Sequence, residues 1–356
     1  MNSLSYLDYF YLSLFSKKQS KKTSTIYHIL TGKKTASILY GAEKYDLTYF
    51  FALFPKLKRS QFNKSIDKLV CLNYLSQSKE NKEFSLSNSG EKEWTLFFDH
   101  HHYPKQLNYL QDGLALIHFW RTIQLITQVL SEVRYKNKQY TPIEKEWEKQ
   151  QWLKQWLKNN NANKQELAVA FGNEWILIMS ELPLLYAEIL TDSLSGHNKT
   201  GKTQKQLAEA HRKEAIEVHL IILDSLACIG KIIDHYPEKT PLFSSIYKEM
   251  IQTYDGTTKS ALLTKHYLLA GYSLEDTIKH RQLKPSTINE HVIEISIMDP
   301  LFDLSTILPV DKFKEIKQLL KEVPALTYQE MLEKKPEVLF LWFRLAQIER
   351  NRNSDE

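Results

Sequence analysis

At 356 residues, with 42% hydrophobic and 25% charged residues, the chain is long enough for two or three domains and apolar enough to bury a core, which excludes a wholly disordered protein. Only 10 glycines and 11 prolines punctuate it, a density that favours helices over a glycine-rich α/β enzyme. The net charge of +5 is unevenly placed: residues 1–95 hold 15 Lys/Arg against 8 Asp/Glu, and the remainder holds 32 against 34, so the first quarter is the part able to attract a polyanion.

The opening stretch, MNSLSYLDYFYLSLFSKKQSKK, is apolar and aromatic, but its positive charge follows the apolar run, Asp8 interrupts it, and no small-residue cleavage site follows. That pattern argues against a secretory signal, and no run reaches the length of a membrane span. The expectation is a soluble cytoplasmic protein without membrane contact. Cys71 and Cys228 stand far apart in apolar surroundings and read as small core residues in a reducing compartment.

Residues 1–95 read as three short helices followed by a hairpin. In KRSQFNKSIDKLVCLNYL, Phe62, Ile66 and Leu69 recur at helical spacing, while Lys58, Arg59, Gln61, Asn63, Lys64 and Lys68 fill the polar positions. Two short runs, 74–78 and 83–87, then flank a polar turn that carries Lys79 and Lys82. Asn88, Ser89 and Gly90 open another helix. Helices, a charged helix and a hairpin are the order of a winged helix, in which the charged helix enters the major groove and the hairpin lies along the backbone. The same order also serves protein docking.

Residues 96–245 read as a wholly helical middle domain with a loop at 159–163. Residues 246–356 form a third, helical domain. Its most organised part is SALLTKHYLLAGYSLEDTIKHRQLKPSTINEHVIEI. A first helix ends at Gly271, Ser273 caps a second from Leu274 to Arg281, and Pro285 opens a third that buries Ile288, Val292 and Ile295. This is a helix-turn-helix. Ser286, Thr287, Asn289 and His291 at the start of the third helix, with Lys279, Arg281 and Lys284 nearby, are candidates for phosphate and base contact. Glu290 and Glu294 on that helix would repel phosphate. Docking a partner is the alternative role. The fold class is therefore mainly α: a winged-helix-like domain with a short β-hairpin at 1–95, a helical domain at 96–245, and a helix-turn-helix domain at 246–356.

Two motifs suggest other chemistry. Residues 196–203, GHNKTGKT, match the phosphate-binding pattern G-x-x-x-x-G-K-[ST], and HLIILD, His219 to Asp224, resembles an apolar strand ending in a metal-holding Asp. A P-loop follows a buried strand, whereas the preceding ELPLLYAEILTDSLS reads as a helix. Thr203 with Gln206 instead forms a capping box. A P-loop nucleotide-binding enzyme is thus a remote alternative. The run Asp99-His100-His101-His102-Tyr103 suggests a metal, but adjacent histidines do not converge on one centre, and a surface or interdomain segment is the simpler reading. No nucleophile elbow or H-E-x-x-H is present. No enzyme activity, cofactor, metal or small-molecule substrate is expected.

The N-terminal stretch STIYHILTGKKTASILYGAEKYDLTYFFALFPKLKRSQFNKSIDKLVCLNYL resembles the YpbB-type proteins of low-GC Gram-positive bacteria, as does the closing helix-turn-helix with its tail to about Arg350. The closing stretch also resembles the helix-turn-helix domain at the C-terminal end of many RecQ-type helicases. Leu269, Gly271, Ser273, Ile278, Arg281, Leu283, Thr287, Ile288 and His291 stand at that domain's recurring positions. The resemblance implies a protein encoded beside a RecQ-type helicase, and from that neighbourhood an accessory role with the helicase in DNA repair or recombination. A sequence-specific transcription regulator is the alternative.

Overall fold

The computed structural model describes residues 4–78, 83–160, 163–254, 256–304 and 307–353. From the N-terminus these form α1 (Tyr6–Ser13), β1 (Lys21–Lys22), α2 (Thr23–Thr31), α3 (Ala36–Lys44), a 3-10 turn (Thr48–Phe50), α4 (Arg59–Cys71), β2 (Leu75–Gln77), β3 (Glu83–Leu86) and α5 (Asn88–Phe98). Helices follow: α6 (Tyr109–Arg134), α7 (Trp147–Asn159), α8 (Lys164–Glu181), α9 (Leu184–Ser193), α10 (Gln204–His211), α11 (Ala215–His235) and α12 (Pro241–Thr253). The last six are α13 (Lys259–Leu269), α14 (Leu274–Arg281), α15 (Pro285–Met298), α16 (Val310–Glu322), α17 (Tyr328–Lys334) and α18 (Phe340–Asn353). The chain is mainly α, as its composition implies. Among the described residues no helix is long and apolar enough to cross a membrane.

The expected hairpin forms with a third strand, in the order β1-β3-β2, Lys21 lying opposite Phe84 and Lys22 opposite Glu83. α4 buries Phe62, Ile66 and Leu69, one side of a helix. Ser87 caps α5 by accepting from the Gly90 N–H at 2.9 Å. At Gly90 a Cβ would stand 2.3 Å from the Tyr74 carbonyl oxygen, so this close backbone approach admits only glycine.

The chain packs into two compact units that alternate along the sequence: residues 1–19, 63–77 and 85–255 in one, and residues 20–62, 78–84 and 256–356 in the other. Both draw on residues 1–95, and the second joins part of that segment to the C-terminal helices.

In the first unit α6, α8, α11 and α12 close around an aromatic centre. Phe243 stacks on Phe171 at 4.8 Å and meets the edge of Trp175 at 4.9 Å. α11 buries Val218, Ile221, Ile222, Leu226, Ile229 and Ile233. Glu174, buried on α8, accepts from the Leu242 and Phe243 N–H groups at 3.1 and 3.0 Å, satisfying two orphan donors at the start of α12.

In the second unit α15 is the central element, packed by α13, α3 and α18. Every residue from His291 to Ile297 is buried, so this half of the helix has no solvent face. Each fully buried Ile or Val contributes about 1.5–3 kcal/mol. The partners are tied across the sequence by charge. The Arg344 guanidinium lies 3.8 Å from the Tyr40 ring centroid, and Arg352 bonds Glu43 at 2.8 Å and the Ser296 carbonyl at 3.0 Å. α16, α17 and α18 enclose a further apolar core through Ile316, Leu320, Met331 and Phe343.

The division also sorts the charge. The second unit holds 24 Lys/Arg against 19 Asp/Glu, and the first holds 23 of each. The whole excess of +5 thus belongs to the unit with the C-terminal helices, where residues 20–62 contribute 8 Lys/Arg against 2 Asp/Glu.

Candidate nucleic-acid interface

The helix-turn-helix at α13–α15 is built by local capping. Gly271, at φ +86°, ends α13, with its N–H bonded to the Leu268 carbonyl at 3.0 Å and the Tyr272 N–H to the Tyr267 carbonyl at 3.2 Å, a Schellman closure. Ser273 then accepts from the Asp276 N–H at 3.0 Å and starts α14. Gln282 in the left-handed region ends α14, and Pro285 opens α15.

Buried polar contacts hold α13 and α15 together. Glu294 accepts from the Thr258 N–H at 2.6 Å and from its hydroxyl at 3.0 Å, at the cap of α13. Its side chain is buried and engaged at that cap rather than presented at the surface; Glu290 is exposed. His291, expected at the DNA face, is also buried and stands 2.9 Å from the Thr264 hydroxyl through Nδ1. Burial, then the Arg281 charge, hold its pKa below the ordinary value. Arg281 is likewise committed inward. Its guanidinium donates to the Ser260 carbonyl at 2.9 Å, to the Ser260 hydroxyl at 3.0 Å, and to Thr264. His291 and Arg281 therefore fix the angle between the helices rather than present donors outward.

Lys279, Lys284 and Ser286 are exposed, and Thr287 and Asn289 half-buried. Lys279 stands 3.9 Å from Asp276, a loose pair one turn apart. The surface left to a ligand is the α14–α15 turn and the first turn of α15. A recognition helix contacts base edges with its N-terminal residues.

On α4 the candidates divide similarly. Lys58, Gln61, Asn63 and Lys64 are exposed. Arg59 is half-buried with its guanidinium 4.5 Å from the Tyr27 ring centroid. Lys68, although exposed, lies 3.5 Å from the buried Asp8 carboxylate. Burial alone would raise the Asp8 pKa, but hydrogen bonds from Ser65 and Ser5 and the Lys68 charge hold it below the usual range. Lys79 and Lys82 lie outside the described residues.

A second polar cluster, in the first unit, escaped the sequence reading. Glu217 and Asp224 on α11 are buried. Glu217 accepts from Lys213 at 2.6 Å and from the His102 N–H at 3.0 Å, and meets His101 Nδ1 at 3.0 Å. Asp224 accepts from the Gln106 N–H and the Tyr186 hydroxyl, both at 2.7 Å. The Tyr6 hydroxyl donates to the His102 carbonyl at 2.5 Å, drawing α1 into the network. Burial lowers the His102 pKa. Burial would raise that of Glu217, but Lys213 and the histidine contacts bring it below the ordinary value. Within the run 99–103, expected as a surface or interdomain segment, Asp99 and His100 are exposed, while His101 and His102 turn onto α11. The signal lay in its histidines together with the HLIILD run, but neither motif names the other. Among the described residues no three His, Cys, Asp or Glu side chains are placed to hold a metal.

The remaining motifs resolve locally. Residues 196–203 follow α9 and not a strand. Lys202 pairs with Asp192 at 2.7 Å, and a Cβ at Gly201 would meet the Ser193 carbonyl oxygen at 2.3 Å. The loop is closed on its own chain, without the open cradle of amides a phosphate needs. Thr203 and Gln206 form the expected capping box of α10. Cys228 is half-buried, its thiol pushed up to about 11 by burial and then Asp224, whereas Cys71, expected in the core, is exposed on α4.

A family model described as a helix-turn-helix domain matches residues 260–346, which carry α13 through most of α18. The chain therefore carries a C-terminal helix-turn-helix domain. It is also similar to Protein YpbB of Bacillus subtilis (strain 168), at 23% identity over 331 residues, covering 90% of each chain. No solved structure matches it.

Proposed function

We propose that this is a DNA-associated helix-turn-helix protein with no chemistry of its own. The observation that carries the reading is the exposed turn into α15, with Lys284 and Ser286, on the unit that holds the whole net positive charge. A duplex is a polyanion, and binding through Lys and Arg releases its counterions. The first turn of α15, rather than its buried second half, meets the groove, while Lys279 and Lys284 meet phosphates. Lys58, just before α4, and Gln61, Asn63 and Lys64 on it are further exposed residues of the right composition.

The finer reading is an accessory role beside a RecQ-type helicase, in repair or recombination. It rests on the resemblance of the two ends of the chain to proteins encoded with such helicases. Fluorescence anisotropy with labelled single-stranded, duplex and forked DNA separates the possibilities. Tighter binding to forks than to plain duplex, with capture of the helicase in a pull-down, is the expected outcome. A dimer that prefers one duplex sequence would replace the accessory role with transcription regulation. Absence of binding to all three at low salt would remove DNA association altogether.

A further inference from the structure

Three elements of the second unit meet at one corner. The loop between α2 and α3 follows Gly32 and carries Lys33 and Lys34, both exposed. Lys34 donates through Nζ to the carbonyl of Gly256, just before the cap of α13. Arg281, at the end of α14, reaches the Ser260 carbonyl and hydroxyl in the first turn of that same helix. The loop and the α14–α15 turn are therefore both fastened to the N-terminal end of α13. That end exposes Lys259, and the turn exposes Lys284.

The charge at this corner is left unanswered. Elsewhere in the unit, Lys265 pairs with Asp299, Lys317 with Glu349, Lys335 with Glu315 and Arg352 with Glu43. Among the described residues Lys33, Lys34, Lys259 and Lys284 have no carboxylate partner within ion-pair distance. His28, at the end of α2, lies in the field of Lys33: burial lowers its pKa first, and the charges of Lys33 and Arg59 lower it further. Gathering like charges costs repulsion, which an arriving anion relieves.

We propose that Lys33, Lys34 and Lys259 form a phosphate-binding strip continuous with Lys284, so that the α2–α3 loop grips the backbone of the same DNA that the start of α15 enters. The proposal rests on the DNA reading above and adds the clamp: residues more than 200 positions from the helix-turn-helix supply its backbone contacts. Such contacts fix register without reading sequence. Lys34 uses one of its three N–H donors on Gly256, which holds the ammonium in place and leaves two for phosphate.

The test uses the full-length protein and a labelled duplex, titrated by anisotropy across a range of salt concentrations. Lys33→Glu and Lys259→Glu are compared with wild type and with Lys154→Glu, which makes the same charge change at an exposed position of α7. Lys34 is left intact to keep its bond to Gly256. Each strip variant is expected to weaken binding about tenfold at moderate salt and to flatten the salt dependence by about one ion, with an unchanged melting temperature. Lys154→Glu is expected to stay within about twofold. Wild-type binding matched by both strip variants, in affinity and in salt slope, would overturn the strip and leave the helix-turn-helix reading standing. Wild type that binds no duplex at low salt would remove both.

Discussion

Glu294 shows how a carboxylate on a helix expected to face DNA can serve the fold instead. It answers both the N–H and the hydroxyl of Thr258. Glu294→Ala leaves those donors without an acceptor, and a loss of about 1–3 kcal/mol is expected in urea unfolding, with the far-ultraviolet dichroism of the folded state unchanged. Glu217 is the stronger case, since its charge is buried against Lys213 and His101. Glu217→Ala leaves the half-buried Lys213 ammonium and the His102 N–H without their acceptor and is expected to cost about 1–3 kcal/mol; a cost within about 0.5 kcal/mol would show that water replaces the carboxylate. Lys202→Ala removes only a half-exposed pair with Asp192. A change of at most about 1 kcal/mol is expected, with no ATP binding by calorimetry in wild type or variant. At this scale caps were readable, because a Ser or Thr and the residue three places on act within one turn, as at Ser273 and Thr203. The inward commitments of His291, Arg281 and Asp224 were not, because their partners lie on other segments of the chain, where no spacing rule reaches.

Among the elements, α15 divides most sharply. Pro285, Ser286 and Glu290 are exposed, Thr287 and Asn289 half-buried, and from His291 to Ile297 it is buried on every side. Substitutions along it should therefore separate stability from binding. Ile295→Ala is expected to lose about 2–5 kcal/mol through the cavity it leaves. Ser286→Ala is expected to stay within about 0.5 kcal/mol of wild-type stability while weakening DNA binding. Denaturant unfolding and anisotropy on the same two variants check both halves. The periodicity of Ile288, Val292 and Ile295 showed one buried side; it did not show that Ile293 and Ile297 are buried too, in a helix on which α3 and α18 pack from distant parts of the chain.

For the molecule as a whole, the basic excess read in the first quarter of the sequence belongs to a unit completed by the last hundred residues. That union has no local signature, since the contacts of α3 with α15 and α18 join segments separated by more than half the chain. Burial also sets the response to acid. His28, His102, His118, His219 and His291 all have pKa values lowered chiefly by burial. Each stays neutral in the fold at pH values where the unfolded chain takes up a proton. Their contribution is therefore present above about pH 6.5 and is lost as pH falls below it. The melting temperature is expected to drop between about pH 7 and pH 5; a flat profile over that range would mean these imidazoles are solvated. The central claim, that the start of α15 meets DNA, is tested most directly by the salt dependence of duplex binding for wild type and Lys284→Glu/Ser286→Ala. Wild-type binding is expected to weaken steeply with salt, and the variant, equally stable, to bind at least about tenfold more weakly with a shallower slope. Equal binding by the two proteins would contradict it.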